Sequence, residues 1–364
     1  MLRKKKSRWG LFLKIFLPSV LGFVIILGGV VGYIVKTVTH PPKSAVDEEA
    51  PAQLTKVMSM YWEKKTFSSD GTQFNYWVLV FGGGAPGIVL THGYGMNRED
   101  MLLLGYRLWE RGFNVMMYDL RYHGNNKAEF SGLGALERAD LQNALKEFKG
   151  LKYNKDIGKI SPAGIPLVDP DNIGVLGIDI GAYASLMVAA DDDSVKGIVI
   201  DSPPLSPSDF THNRLGKVFN LKSDLAYSLI DSGMDIYIKG KYNNAGSAIA
   251  AAQKIKTKSK KVLVISGGDN PIAKVSSKKI FDTIGLEHAQ ISTPAVTKFS
   301  SFTKETGDEY MGNVGDFFRN VVFLPPPPPP DGAQPPATGT TPTPAGTAPA
   351  PASPTPAPTT PAKK

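Results

Sequence analysis

The sequence predicts an α/β fold built on a mostly parallel sheet. Two observations carry that expectation. Short apolar runs alternate with amphipathic stretches through the middle of the 364-residue chain, the pattern of strands joined by crossover helices. The mixed-composition stretch 56–324 is also long enough for one large domain with a substantial core. No repeat of 20–50 residues is visible, which argues against a solenoid.

The flanks differ from that middle. Residues 1–14 form a basic head carrying Arg3, Lys4, Lys5, Lys6, Arg8 and Lys14. Residues 15–36 follow as a transmembrane anchor, with 21 uncharged positions from Ile15 to Val35 between Lys14 and Lys36. A helix of that length spans roughly 30 Å, the hydrocarbon thickness of a bilayer. Pro18 falls in its first turn, where a missing N–H is tolerated. The basic cluster before the span orients the N-terminus towards the cytoplasm and the main domain away from it. A cleaved signal peptide is the alternative. Against it, the apolar run exceeds the usual ~7–15 residues and no small-x-small site follows at Thr37–Lys43. Residues 37–55, polar and Pro-bearing, are expected as a stalk. The tail, 325–364, holds 16 prolines and no large apolar residue. Such a segment cannot offset ordering entropy by burial and is expected to be disordered. It would serve as a cell-wall spacer, as a ligand for a polyproline-binding partner, or as a loose solvated end.

Within the domain, Tyr61–Ser68 and Phe74–Phe81 are expected as strands joined by a turn at Asp70-Gly71. Gly87–Thr91 and Phe113–Tyr118 are further strands. Between them, Arg98–Arg111 has helical periodicity and stops at Gly112. Leu136–Lys149 is a helix, and the strand Asn172–Leu176 leads into the helix Gly181–Ala190. Gly197–Asp201, Lys261–Ser266 and Ala289–Thr293 complete the strands; Lys274–Ile284 and Asp308–Val322 complete the helices. Residues 205–245 fit no strand–helix unit and are expected as a lid-like insertion over the C-terminal edge of the sheet.

Four segments in this order resemble the α/β-hydrolase superfamily, in its serine aminopeptidase and dienelactone-hydrolase-like branch. Thr91-His92-Gly93-Tyr94-Gly95 is similar to the His-Gly loop after the third strand. Tyr118-Asp119-Leu120-Arg121-Tyr122-His123-Gly124 is similar to the Asp-x-Arg-x-x-Gly turn after the fourth. Gly134 to Leu141 resembles the start of the following helix. Gly177-Ile178-Asp179-Ile180-Gly181 occupies the place of the nucleophile elbow. The resemblance implies an eight-stranded, mostly parallel sheet with helices on both faces. It also implies oxyanion donors at the backbone of Tyr94 and Ile180, and a triad of nucleophile, acid and base.

The elbow needs glycine two residues before and after the nucleophile, because strand and helix backbones pass very close there. Gly177 and Gly181 meet that need, but Asp179 stands in the Ser position. Asp269, in Ile265-Ser266-Gly267-Gly268-Asp269-Asn270, takes the acid's position; an ordinary capping Asp is the plainer reading. The base is missing from its place. No His follows His288, and Phe299 or a neighbour stands where an imidazole is expected, about a dozen residues before Tyr310. A phenyl ring cannot accept a proton. His123 is the one substitute near the pocket mouth. His92 is expected to hold its own loop, and His40, His212 and His288 lie elsewhere. At the N-terminus of a helix and beside backbone donors, the Asp179 carboxylate is expected to remain an anion that fills the oxyanion site.

Net charge is +8 from 41 basic and 33 acidic residues; with six of the basic ones in the head, positions 15–364 carry only +2. No nucleic-acid surface follows from that balance. Cysteine is absent, which excludes disulfides, thiolate metal sites and a Cys nucleophile. No cofactor and no metal are expected. Three functions remain open: a pseudoenzyme acting as a binding or structural module, an active hydrolase with Asp179 as nucleophile, and a wall-associated protein in which the tail matters most.

Overall fold

The alternation of apolar residues along each central strand sorts them onto two faces of one sheet, and helices cover both. A computed structural model describes residues 8–267, 271–294 and 304–322. In chain order the elements begin with helix α1 (Arg8–Thr39) and helix α2 (Ala50–Met58). Strands β1 (Tyr61–Ser69), β2 (Thr72–Val80) and β3 (Ala85–Thr91) follow, then a 3-10 turn Glu99–Met101 and helix α3 (Leu102–Trp109). Next come β4 (Asn114–Tyr118), α4 (Glu137–Gly150) and three short strands, β5 (Lys152–Asn154), β6 (Lys159–Ile160) and β7 (Ile165–Pro166). The elbow lies between β8 (Val168–Ile178) and α5 (Ile180–Asp191). After β9 (Val195–Asp201), the helices α6 (Pro207–Phe219), α7 (Asp224–Tyr237) and α8 (Ala248–Thr257) precede β10 (Lys261–Ile265). Helix α9 (Pro271–Ile284), β11 (Ala289–Ser292) and α10 (Lys304–Val321) complete the domain.

Eight strands form the main sheet in the order β1-β2-β4-β3-β8-β9-β10-β11. The pairs β1–β2 and β2–β4 are antiparallel, and every pair from β4 across to β11 is parallel. Period-two alternation builds two cores. Val115, Met117, Ile88, Leu90, Leu176 and Val199 face α3 and α10. Met116, Val89, Val175, Ile198 and Ile200 face α4, α5 and α8. Nearly every expected strand and helix is present with ends displaced by a few residues.

Three differences matter. The expected insertion 205–245 is helical, α6 and α7, each opened by a serine whose side chain accepts the N–H of the third residue on (Ser206 from Asp209, Ser223 from Ala226). The segment 37–55, expected as a stalk, is packed on the domain instead. Helix α1 continues to Thr39; Val38, Thr39 and Val46 are buried. The Lys43 ammonium donates to the Asn126 carbonyl at 2.8 Å. Lastly, the small sheet β6-β5-β7 had no signal in its sequence, because each strand is two or three residues long. The Pro-rich tail, the basic head before Arg8, Asp269 and Phe299 lie outside the described residues.

Candidate active site

At the end of β8 the chain turns sharply into α5, and Asp179 sits at the corner with φ 55° and ψ −117°. This backbone region is strained for any residue with a side chain, and strain of this kind clusters at functional sites. The two flanking glycines make the turn possible. A Cβ on Gly177 would run into the Gly181 carbonyl, and one on Gly181 would lie 2.5 Å from the His92 carbonyl oxygen. The turn is further pinned by the Asp179 N–H, which donates to the Asp201 carbonyl at 2.8 Å. Thr91 Oγ1 donates to the Leu176 carbonyl at 2.9 Å and lies 3.0 Å from Ser185 Oγ.

The His92-Gly93-Tyr94 loop lies against this corner; a Cβ on Gly93 would sit 3.3 Å from that of Asp179. His92 holds the loop, as expected. Its Nδ1–H donates to the Gly93 carbonyl at 2.8 Å, and its Nε2 accepts the Leu120 N–H at 2.9 Å. Both ring nitrogens are thus engaged, and burial holds its pKa well below the ordinary value.

Asp179 differs from its expected state. Burial pushes its carboxyl up to about 7, more than the Tyr94 backbone N–H and the charges of Arg214 and Lys217 pull it down. Desolvation outweighs the donors and the helix end, so the group titrates near neutrality instead of remaining a fixed anion. The Tyr94 backbone donor expected at this site does act on Asp179. Ile180 opens α5, where first-turn N–H groups have no intrahelical acceptor.

His123 is brought close to this loop but not to Asp179. Its ring lies 5.2 Å from that of His92 and 5.8 Å from that of Tyr94. Nδ1–H donates to the Arg121 carbonyl at 2.6 Å, leaving the buried Nε2 without a hydrogen-bond partner. Burial lowers its pKa to about 4, so it is neutral across the physiological range. Among the described residues no hydrogen bond joins His123 to Asp179.

Two contributors escaped the sequence reading. Asp201 ends β9 beside the elbow strand; it is buried and accepts from Tyr310 Oη and from Ser202 Oγ, both at 2.9 Å. Its place at the carboxyl end of a parallel strand, where α/β sheets form their crevices, was the available signal. Arg214, from α6, lies over the Tyr94 ring with its guanidinium carbon 4.1 Å from the centroid. Nothing in the local pattern of α6 announces that role. His212 and Asp231 form a separate lid pair at 3.0 Å, with His212 stacked on Tyr227. Among the described residues no cluster of three or more His, Asp or Glu could hold a metal ion.

No family model matches the chain. The uncharacterized protein YqkD of Bacillus subtilis (strain 168) is 25% identical over 243 residues, covering 63% of this chain and 72% of YqkD. Among solved structures, the Pyrococcus furiosus esterase Pf2001 aligns with a TM-score of 0.57 at 19% identity, over 79% of this chain and 99% of the esterase. The Pyrococcus horikoshii acylaminoacyl peptidase aligns at 0.53 and 16% identity, over 77% of this chain and 44% of the peptidase. At these identities the likeness is one of fold. The chain has the α/β-hydrolase fold that its four motifs implied. It also has one N-terminal helix, Phe12–Thr39, long and apolar enough to cross a membrane or to serve as a signal sequence.

Proposed function

We propose that this chain is a membrane-anchored, extracytoplasmic protein of hydrolase lineage whose elbow serves binding instead of acyl transfer. The observation that carries the reading is the carboxyl of Asp179 at the corner where a serine hydroxyl would stand, acting on the Tyr94 backbone donor. An acyl-transfer enzyme keeps such a donor for the oxyanion of its transition state. The two nearby imidazoles support the same reading. His92 spends both nitrogens on backbone, and His123 is neutral and makes no hydrogen bond to Asp179.

The test is hydrolysis of p-nitrophenyl esters by the purified full chain. Wild type is expected to show no turnover above background, and so is each of Asp179→Ser and Phe299→His alone. The double variant is expected to gain weak activity, because triad members act as a unit. Since Phe299 marks a position only to within a residue or two, His at Lys298, Ser300 and Ser301 belongs in the same series. Ester turnover by wild type would overturn the reading.

A second reading has its own support. Asp179 keeps the strained backbone of a nucleophile, and a carboxylate can attack carbon to form an ester that water then cleaves. Haloalkane or epoxide hydrolysis by wild type, lost in Asp179→Asn, would put this reading in place of the first. Binding that persists after removal of 325–364 would argue against a role carried by the tail.

A further inference from the structure

The lid carries an apolar surface continuous with the anchor helix. On α1, the residues Val31, Ile34, Val35 and Val38 recur at three- and four-residue spacing, and all four pack into the domain core. Their partner is α7. A Cβ on Gly233 would lie 2.5 Å from Val31 Cγ1, so only glycine lets the two helices approach this closely. Counted from Ile15, the first residue of the uncharged run, a helix reaches the far hydrocarbon boundary after ~20 residues, which is Ile34. The contact of α7 with Val31 therefore lies about one helical turn inside that boundary, the depth of an interfacial helix.

Helix α7 presents a second stripe just beside that contact. Leu225, Leu229 and Ile236 follow one another at spacings of four and seven, adjacent to Gly233 around the helix. Leu225 is 73% and Ile236 81% exposed. Val218 and Phe219, at the end of α6, are also exposed, at 58% and 49%. Lys217 and Lys222, both exposed, flank this apolar surface. Apolar side chains rimmed by lysines match the boundary between acyl chains and anionic headgroups.

We propose that the α6–α7 lid docks on the anionic bilayer that holds α1, with Leu225, Ile236 and Phe219 at the headgroup–acyl boundary and Lys217 and Lys222 on the headgroups. The assignment rests on reading α1 as an uncleaved anchor.

The chain has no cysteine, so a single introduced cysteine can be labelled without background. Leu225→Cys, Ile236→Cys, Leu286→Cys and Phe23→Cys would each carry an environment-sensitive fluorophore on the full chain. Each would be reconstituted in phosphatidylcholine vesicles with about a third phosphatidylglycerol and a lipid-borne quencher. Leu286, 84% exposed and just before β11, reports the opposite, N-terminal edge of the sheet. Quenching at positions 23, 225 and 236 but not 286 is the expected result. Quenching at 23 without 225 and 236 would overturn the docking while leaving the anchor reading intact. No quenching at 23 would overturn the anchor reading, and the docking with it. Replacing phosphatidylglycerol by phosphatidylcholine, or making Lys217→Gln with Lys222→Gln, should reduce lid quenching at least about twofold. Equal quenching without anionic lipid would overturn the assignment of the lysines to headgroups.

Discussion

The floor around the elbow, on the sheet side, and the helical cover beside it are built on different principles. The floor is held by paired, mostly buried polar groups and by backbone geometry. The Arg98 guanidinium is fully buried between Asp119 and Glu48. Arg121 makes two bonds to Asp140, at 2.5 and 2.7 Å. Glu137 accepts from Ser131 Oγ at 3.0 Å and from the Gly132 and Gly134 N–H groups at 2.8 and 2.7 Å. The cover is made of α6, α7 and the end of α1, and its outer surface exposes Val218, Phe219, Leu225 and Ile236 beside Lys217, Lys222 and Asp224. The segments that identify the fold lie almost entirely in the floor. Removing one member strands a buried partner, which is costly whatever the chemistry at the elbow. On the proposed reading, the residue that changed, Asp179, occupies a place the floor does not depend on.

That contrast can be broken most sharply at the elbow. Gly181→Ala pushes a methyl group into the His92 carbonyl and is expected to cost about 3 kcal/mol or more, read as a lower urea midpoint or loss of folded protein. Arg98→Leu leaves the buried Asp119 carboxylate without its paired cation, for an expected loss of about 3 kcal/mol by the same measurement. A midpoint unchanged in either variant would show that the floor tolerates what its packing forbids.

Asp179 gives an effect of intermediate size with a definite pH signature. Its folded pKa, about 7, lies above the unfolded value. Between about pH 4 and 7 the folded state therefore holds the extra proton. The group's contribution is fully present below pH 4 and is lost as pH rises through 7. Asp179→Asn removes that loss. Its unfolding free energy should gain on wild type as pH rises from 5 to 8, by about 2 kcal/mol after allowance for the partial exposure of Asp179. A difference independent of pH would mean that Asp179 titrates normally.

The cover should respond least. Tyr94 Oη donates to the Val38 carbonyl at 2.8 Å, tying the anchor's end to the loop beside the elbow. Tyr94→Phe is expected to cost about 1 kcal/mol. Leu225→Ser, at an exposed position, should change stability in detergent by less than about 0.5 kcal/mol.

The same division explains what could be read from sequence. Strands β3, β4, β8 and β9 are apolar runs bounded by glycine or polar turns, so their local pattern and their final burial agree. Gly177 and Gly181 were readable because a close backbone approach excludes every other residue. The lid helices were not, since α7 is placed by packing on α1, a tertiary contact that no local periodicity encodes. Asp201 and Arg214 became site residues only through tertiary placement. The expectation of a permanent anion at Asp179 differs from the structure for a related reason: the donors were visible in the motif, whereas the desolvation that outweighs them arises only from tertiary burial.

The central claim, that the elbow holds a carboxyl in place of an acylating nucleophile, is tested most directly by intact-mass spectrometry after exposure to a fluorophosphonate. The wild-type chain is expected to gain no mass, while the Asp179→Ser, Phe299→His variant gains one phosphonyl group. A stoichiometric adduct on a serine of the wild-type chain would contradict the account and place the working elbow elsewhere.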